Sequence, residues 1–318
     1  MTGETPEQNP DGARPIGRRA ALMAAAGVIL VGAGLGAYMG VAGGSADGRR
    51  AVPPTSTTSP PGSTSTSTPP TTAVPVSTPF TAADTAAWVE QENALPGTTD
   101  WKLTHPATGH QIEGYADRVS VDEGRPLDLY VSTSAPNWRV QAFRMGYYGG
   151  ARGRLVWSSP TYPGVLQPTC PLQAPTNTTE CAWTNPVPVD TTSWPQGTYL
   201  FKLQSSAGYQ SYIPLTVRDD SSFSAFLVND SVTTWEAYNT YGGYDLYQGP
   251  SGALATRARA VSFDRPYVLG DGAGDFLGLE LPMISMMESH GLDVSYTTDV
   301  DLSVNPDLVE QHHTFVSL

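Results

Sequence analysis

Basic residues are scarce in this chain: 17 Lys and Arg stand against 30 Asp and Glu, a net charge of −13. Phosphate-backbone binders need a basic face, so this balance argues against nucleic acid as a partner. Thiols are scarcer still, with Cys170 and Cys181 alone. They lie close together in a Pro/Thr-rich loop and suit one local disulfide in an oxidising compartment, contributing on the order of 3 kcal/mol in the chain-entropy model. Phosphate-loop chemistry is missing too: GDGAGDF, Gly270 to Phe276, lacks the lysine of a Walker motif and reads as a turn before a helix. The pair His312-His313 has no carboxylate or cysteine at ligand spacing, which makes it a solvated lead into a strand rather than a metal site. Asp299 and Asp301 flank a strand end and are expected to cap the next helix. Hydrophobic residues make up 39% of the 318, enough to bury a sizeable core in about two domains.

Long apolar runs are absent except for one. A polar leader, residues 1–19, carries Arg14, Arg18 and Arg19 and runs into AALMAAAGVILVGAGLGAYMGVAGG, residues 20–44, long enough to span a bilayer as a helix. The span is expected to export the chain, as a cleaved twin-arginine-like signal or as a retained membrane anchor. Residues 45–80 follow as a Pro/Ser/Thr-rich linker, expected to be disordered because such a composition buries too little to offset its ordering entropy. It would hold the folded part outside the cytoplasm, away from the membrane or wall.

Two textures follow. Residues 81–220 contain short β-rich runs, among them PLDLYVST, WRVQAFRMGYY, GTYLFKLQSS and YQSYIPLTVRD, separated by turn signals such as Trp194-Pro195-Gln196-Gly197. This pattern predicts an immunoglobulin-like β-sandwich. Residues 221–318 alternate strand and helix: FSAFLVN, then DFLGLELPMISMMESHG, then LDVSYTTD, PDLVEQH and HTFVSL. That rhythm predicts a partial α/β domain with a parallel sheet. The sequence stops within the last predicted strand, so part of the domain's own crevice is expected to lie beyond Leu318.

The stretch TTWEAYNTYGGYDLY, Thr233 to Tyr247, places four tyrosines and a tryptophan just after the first of those strands. Its glycines and asparagine predict a turn-rich loop at the strand's carboxyl end, where open α/β sheets bind ligands. Several phenol oxygens aimed at one point suit a hard cation, and tyrosinate is a hard ligand for Fe(III).

With ENALPGTTDW, IEGYADRVSV, RARAVSFDRPY and LDVSYTTDVDL, this stretch resembles exported proteins carrying the C-terminal domain of the N,N-dimethylformamidase large (beta) subunit. The resemblance implies a glutamine-amidotransferase-like fold and hydrolysis of small N-substituted amides at a mononuclear iron held by two tyrosines and a glutamate. Thr234-Trp235-Glu236-Ala237-Tyr238 is similar to the first ligand motif and Asp245-Leu246-Tyr247 to the second, which assigns Tyr238 and Tyr247 as iron ligands. The glutamate, in a His-Pro-Glu-Tyr-Trp motif, is expected past Leu318, so residues 81–318 alone are not expected to hold iron tightly. Fe(III) lowers a phenol's pKa from about 10, polarises an amide carbonyl and activates water. Both cysteines lie in the sandwich, which excludes the thiol chemistry of true glutamine amidotransferases. The alternative is a non-catalytic surface module that holds glycan or wall polymer through Trp138, Tyr147, Tyr148 and Trp157.

Overall fold

The computed structural model describes residues 81–318, together with the dipeptide strand Leu22–Met23, which pairs antiparallel with Ala260–Val261. Apart from that dipeptide, the expected leader, apolar span and linker lie outside the described residues. Among the described residues no helix is long and apolar enough to cross a membrane.

The chain is mostly β-sheet. After a short helix α1 (Ala87–Asn93) come β1 (Ile112–Ala116), β2 (Ser120–Asp122), β3 (Leu127–Thr133), β4 (Asn137–Met145), β5 (Gly153–Ser158), β6 (Val187–Val189), β7 (Gly197–Ser205) and β8 (Gln210–Arg218). A small antiparallel sheet has the order β6-β3-β1, and a larger one the order β2-β8-β7-β4-β5. The larger sheet is antiparallel except for β2, which runs parallel to β8. Ile112, Leu127, Leu129 and Val131 of the small sheet pack on Val140, Ala142, Phe201, Leu203, Ile213 and Leu215 of the large one.

The large sheet is covered on a second side as well. Phe143, Met145, Leu200 and Tyr212 join a separate core with Val89, Trp101, Val228, Ile284, Met287, Val294 and Tyr296. Strands buried on both faces need apolar residues at consecutive positions. This explains why TYLFKL and SYIPLTV show little alternation, and why Lys202, 7% exposed, must donate its ammonium to the carbonyls of Asp100 and Lys102 at 2.8 and 2.7 Å.

The elements that cover this side begin with β9 (Phe226–Asp230), followed by α2 (Val232–Tyr238), α3 (Leu281–Ser289), β10 (Val294–Thr298), α4 (Asp299–Val304) and β11 (Thr314–Ser317). The three strands predicted from FSAFLVN, LDVSYTTD and HTFVSL form a parallel sheet of order β10-β9-β11, with β9 in the middle. Thr298 caps α4: its hydroxyl accepts from the Asp301 amide at 3.3 Å while Asp301 Oδ2 accepts from the Thr298 amide at 3.2 Å. A buried ion pair joins the two halves. Arg144 on β4 meets Glu288 on α3 at 2.6 Å, both side chains 0% exposed. Tyr296 adds a hydrogen bond to the same carboxylate at 2.7 Å.

Candidate functional site

The polypeptide leaves β9 at Asp230, a fully buried carboxylate whose Oδ2 accepts from the hydroxyls of Thr198 and Thr216 at 2.7 and 2.6 Å. Ser231 then caps a helix that starts at Val232, where the glycine-rich continuation suggested a loop. Trp235 and Glu236 turn inward and fix it, so the segment's first half is core. Glu280 lies against this start, with Oε1 accepting from the Ser231 amide at 3.0 Å and from Trp235 Nε1 at 2.9 Å. The remaining oxygens, Asp230 Oδ1 and Glu280 Oε2, are buried and have no hydrogen-bond donor among the described residues. Two carboxylates cannot share such a place as two anions. Burial first, then the charge of Asp230, pushes Glu280 well above the usual carboxyl range, and burial also raises Asp230. The pair therefore keeps one proton between them at neutral pH.

Beyond α2 the backbone doubles back. The Leu246 amide donates to the Ala237 carbonyl at 3.0 Å, and Asp245, 2% exposed, accepts from the Tyr247 and Gln248 amides at 2.7 Å each. The fold-back brings Tyr238 and Tyr247 face to face, with ring centroids 4.4 Å apart and planes 17° apart. Both remain about half exposed, at 54% and 49%. The Tyr247 phenol is pushed up mainly by its hydrogen bond with Tyr238, with a smaller contribution from burial.

Arg265 sets the shape of this segment. Its side chain is 0% exposed, pairs with Glu236 and donates to the carbonyls of Asn239, Tyr241 and Tyr244 at 3.0, 3.0 and 3.1 Å. Burial pushes the Glu236 carboxyl up against the opposing pull of Arg265. Sequence reading did not single out Arg265 or Glu236. Only their burial reveals them, because a guanidinium inside a protein must find acceptors for all its donors. Gly242, at φ +78°, packs so tightly on Thr179 that a Cβ would lie 2.5 Å from its hydroxyl. Glycine is required there on both counts.

The four tyrosines thus divide. Tyr238 and Tyr247 form the exposed pair, Tyr241 donates its hydroxyl to Glu113 Oε1 at 2.8 Å and anchors the loop to β1, and Tyr244 is half-buried. Cys170 and Cys181 are bonded in a loop adjoining the 256–264 segment: Thr178 Oγ1 donates to the Ala260 carbonyl at 2.9 Å and the Cys181 amide to Asp264 at 2.7 Å. Of the alternative glycan contacts, Trp138 and Tyr148 are 5% and 4% exposed and belong to the interior, Trp157 is half-buried, and Tyr147 is 36% exposed.

The stacked phenols are hard oxygen donors and about half exposed, which fits two ligand positions of a ferric ion. The described residues contain no cluster of three His, Cys, Asp or Glu able to hold a metal. The His-Pro-Glu-Tyr-Trp motif has no counterpart among the 318 residues.

The chain thus joins a mostly antiparallel β body to a parallel sheet, and the phenol pair follows the middle parallel strand along the chain. The chain belongs to the N,N-dimethylformamidase beta subunit-like family, whose C-terminal domain model matches residues 139–318. That match begins inside β4 and takes in most of the large sheet as well as the parallel strands. No curated protein matches the chain. A solved Paenibacillus cycloisomaltooligosaccharide glucanotransferase, complexed with cycloisomaltoheptaose, is similar at 13% identity and a TM-score of 0.22, over 44% of this chain and 19% of its own. That likeness is too slight to bear on function.

Proposed function

We propose that the protein is an iron-dependent hydrolase of small amides in which Tyr238 and Tyr247 are two of the protein ligands. The observation that carries this reading is the stacking of two half-exposed phenols past the end of the middle parallel strand. The family supports it, since its name attaches to an amidase. In this reading the phenol oxygens bind the metal after losing their protons, Asp245 holds Tyr247 in place through the backbone, and Arg265 fixes the loop that spaces the two rings. Bound there, Fe(III) supplies a Lewis acid for the amide carbonyl and a means of activating water. The β body is read as immunoglobulin-like and the parallel strands as part of a glutamine-amidotransferase-like sheet. Residues 20–44 are read as an export signal or anchor that places the site outside the cytoplasm.

Metal analysis of the full-length gene product, with hydrolysis of a panel of small N-substituted amides, tests the reading. It predicts about one iron per chain and amide cleavage, both lost in Tyr238→Phe. A protein that takes up no iron and is instead retained on polysaccharide would establish the surface-module alternative.

A further inference from the structure

The Cys170–Cys181 bond closes a loop of little independent stability. Within it Leu172–Gln173 pairs antiparallel with Thr178–Thr179, two residues against two. So short a hairpin does not hold its shape in water without other support. Apolar burial does not supply that support: Leu172 is 45% exposed and residues 171–175 all lie at the surface. What remains is the disulfide, whose Cys181 is buried with Tyr115, Tyr130 and Trp183, together with hydrogen bonds to the 256–264 segment. These reach the tyrosine pair by two routes. Along the first, the Arg259 amide donates to the Thr176 carbonyl at 2.6 Å, Asn177 Nδ2 to the Arg257 carbonyl at 3.3 Å, Thr178 Oγ1 to the Ala260 carbonyl at 2.9 Å, and the Cys181 amide to the Asp264 carbonyl at 2.7 Å. Arg265 follows directly, and its guanidinium holds the carbonyls of Asn239, Tyr241 and Tyr244 between the two stacked residues. The second route is by contact: Gly242 rests on Thr179, and Tyr241 packs against the cluster that contains Cys181.

We infer that the Cys170–Cys181 disulfide is a redox-sensitive hold on the Tyr238–Tyr247 stack. Cys170 is partly exposed, which opens the bond to a dithiol reductant. One thiolate of the dithiol attacks the Cys170 sulfur and releases the Cys181 thiolate, and its second thiolate then displaces Cys170. The protein's S–S bond breaks, the dithiol's own forms, and two electrons and two protons pass to the cysteines. The opened hairpin loses the closure that confined it. Local opening then frees Gly242 and Asp264 while the apolar β body stays folded, and the two phenol rings separate.

The test follows iron-free full-length protein, first oxidised, then treated with dithiothreitol, then re-oxidised, by nuclear Overhauser contacts between the rings of Tyr238 and Tyr247. The contact of Trp194 with Phe201 inside the β body serves as the reference. The tyrosine contacts are expected to vanish on reduction and return on re-oxidation, with the Trp194–Phe201 contact present throughout. Cys170→Ser/Cys181→Ser should give the separated rings with or without reductant. Tyrosine contacts that survive reduction or the double substitution would overturn the inference. So would loss of both contacts together, which would make the disulfide a general brace. Because the rings are read without metal, this outcome is independent of iron uptake.

Discussion

The β body and the parallel region hold together by different means. In the β body, the facing sides of two sheets bury an apolar interior of Val, Leu, Ile and aromatic side chains. Around the parallel strands the interior is interrupted by buried charge: Arg144 with Glu288, Arg265 with Glu236, and Asp230 with Glu280. Apolar packing tolerates many solutions of similar volume, whereas a buried ion pair is satisfied in one arrangement only. The difference fits the roles proposed for the two regions: one supplies a stable support, and the other fixes a loop to the accuracy a ligand pair needs.

The contrast can be broken by mutation. Arg144→Met should cost about 3–5 kcal/mol, because it leaves Glu288 buried without its cation. The double change Arg144→Met/Glu288→Leu should recover much of that loss, and denaturant unfolding of the two variants checks both statements. In the apolar core, Phe201→Ala should cost about 3–5 kcal/mol through transfer and cavity terms, while Phe201→Leu should cost far less. Such tolerance of a conservative swap separates the two regions, since Arg265→Lys, equally conservative in charge, should lose the carbonyl contacts and unstack the tyrosines. Reducing the Cys170–Cys181 bond should lower stability by about 3 kcal/mol, read as a shift in melting temperature with and without reductant.

A smaller effect follows from the carboxyl pair. Both groups are raised in the folded state, so the native protein holds a proton that the unfolded chain releases above the ordinary carboxyl range. This contribution is fully present below that range and is lost as pH rises, with a slope of at most about 1.4 kcal/mol per pH unit for one proton. Glu280→Gln places a neutral amide beside Asp230 in place of the titrating carboxyl. Its stability should therefore change less between acid and alkaline pH than that of the parent, as measured by unfolding across the pH range.

The sequence made the strands legible where burial imposes a pattern. FSAFLVN, LDVSYTTD and HTFVSL are runs bounded by turn or helix signals, and each is a strand of the parallel sheet. The helix Val232–Tyr238 was missed because its seven residues lead straight into a glycine-rich turn, and local composition gave the whole stretch one character. The buried ion pairs were illegible for another reason: Arg144 and Glu288 lie far apart in the chain, and nothing local marks either as interior. Tyr238 and Tyr247 were named through their motifs. Their stacking depends on Asp245 and Arg265, whose roles appear only in three dimensions.

Tyr238→Phe and Tyr247→Phe should change stability least of all, by less than about 0.5 kcal/mol, because each removes a half-exposed hydroxyl and no packing volume. They bear most directly on function. The decisive measurement is the visible absorption of the full-length gene product after loading with ferric iron. A phenolate-to-iron charge-transfer band that either substitution bleaches, with unfolding unchanged, is the predicted result. A protein that stays colourless and iron-free after loading, or a band that survives both substitutions, would contradict the account.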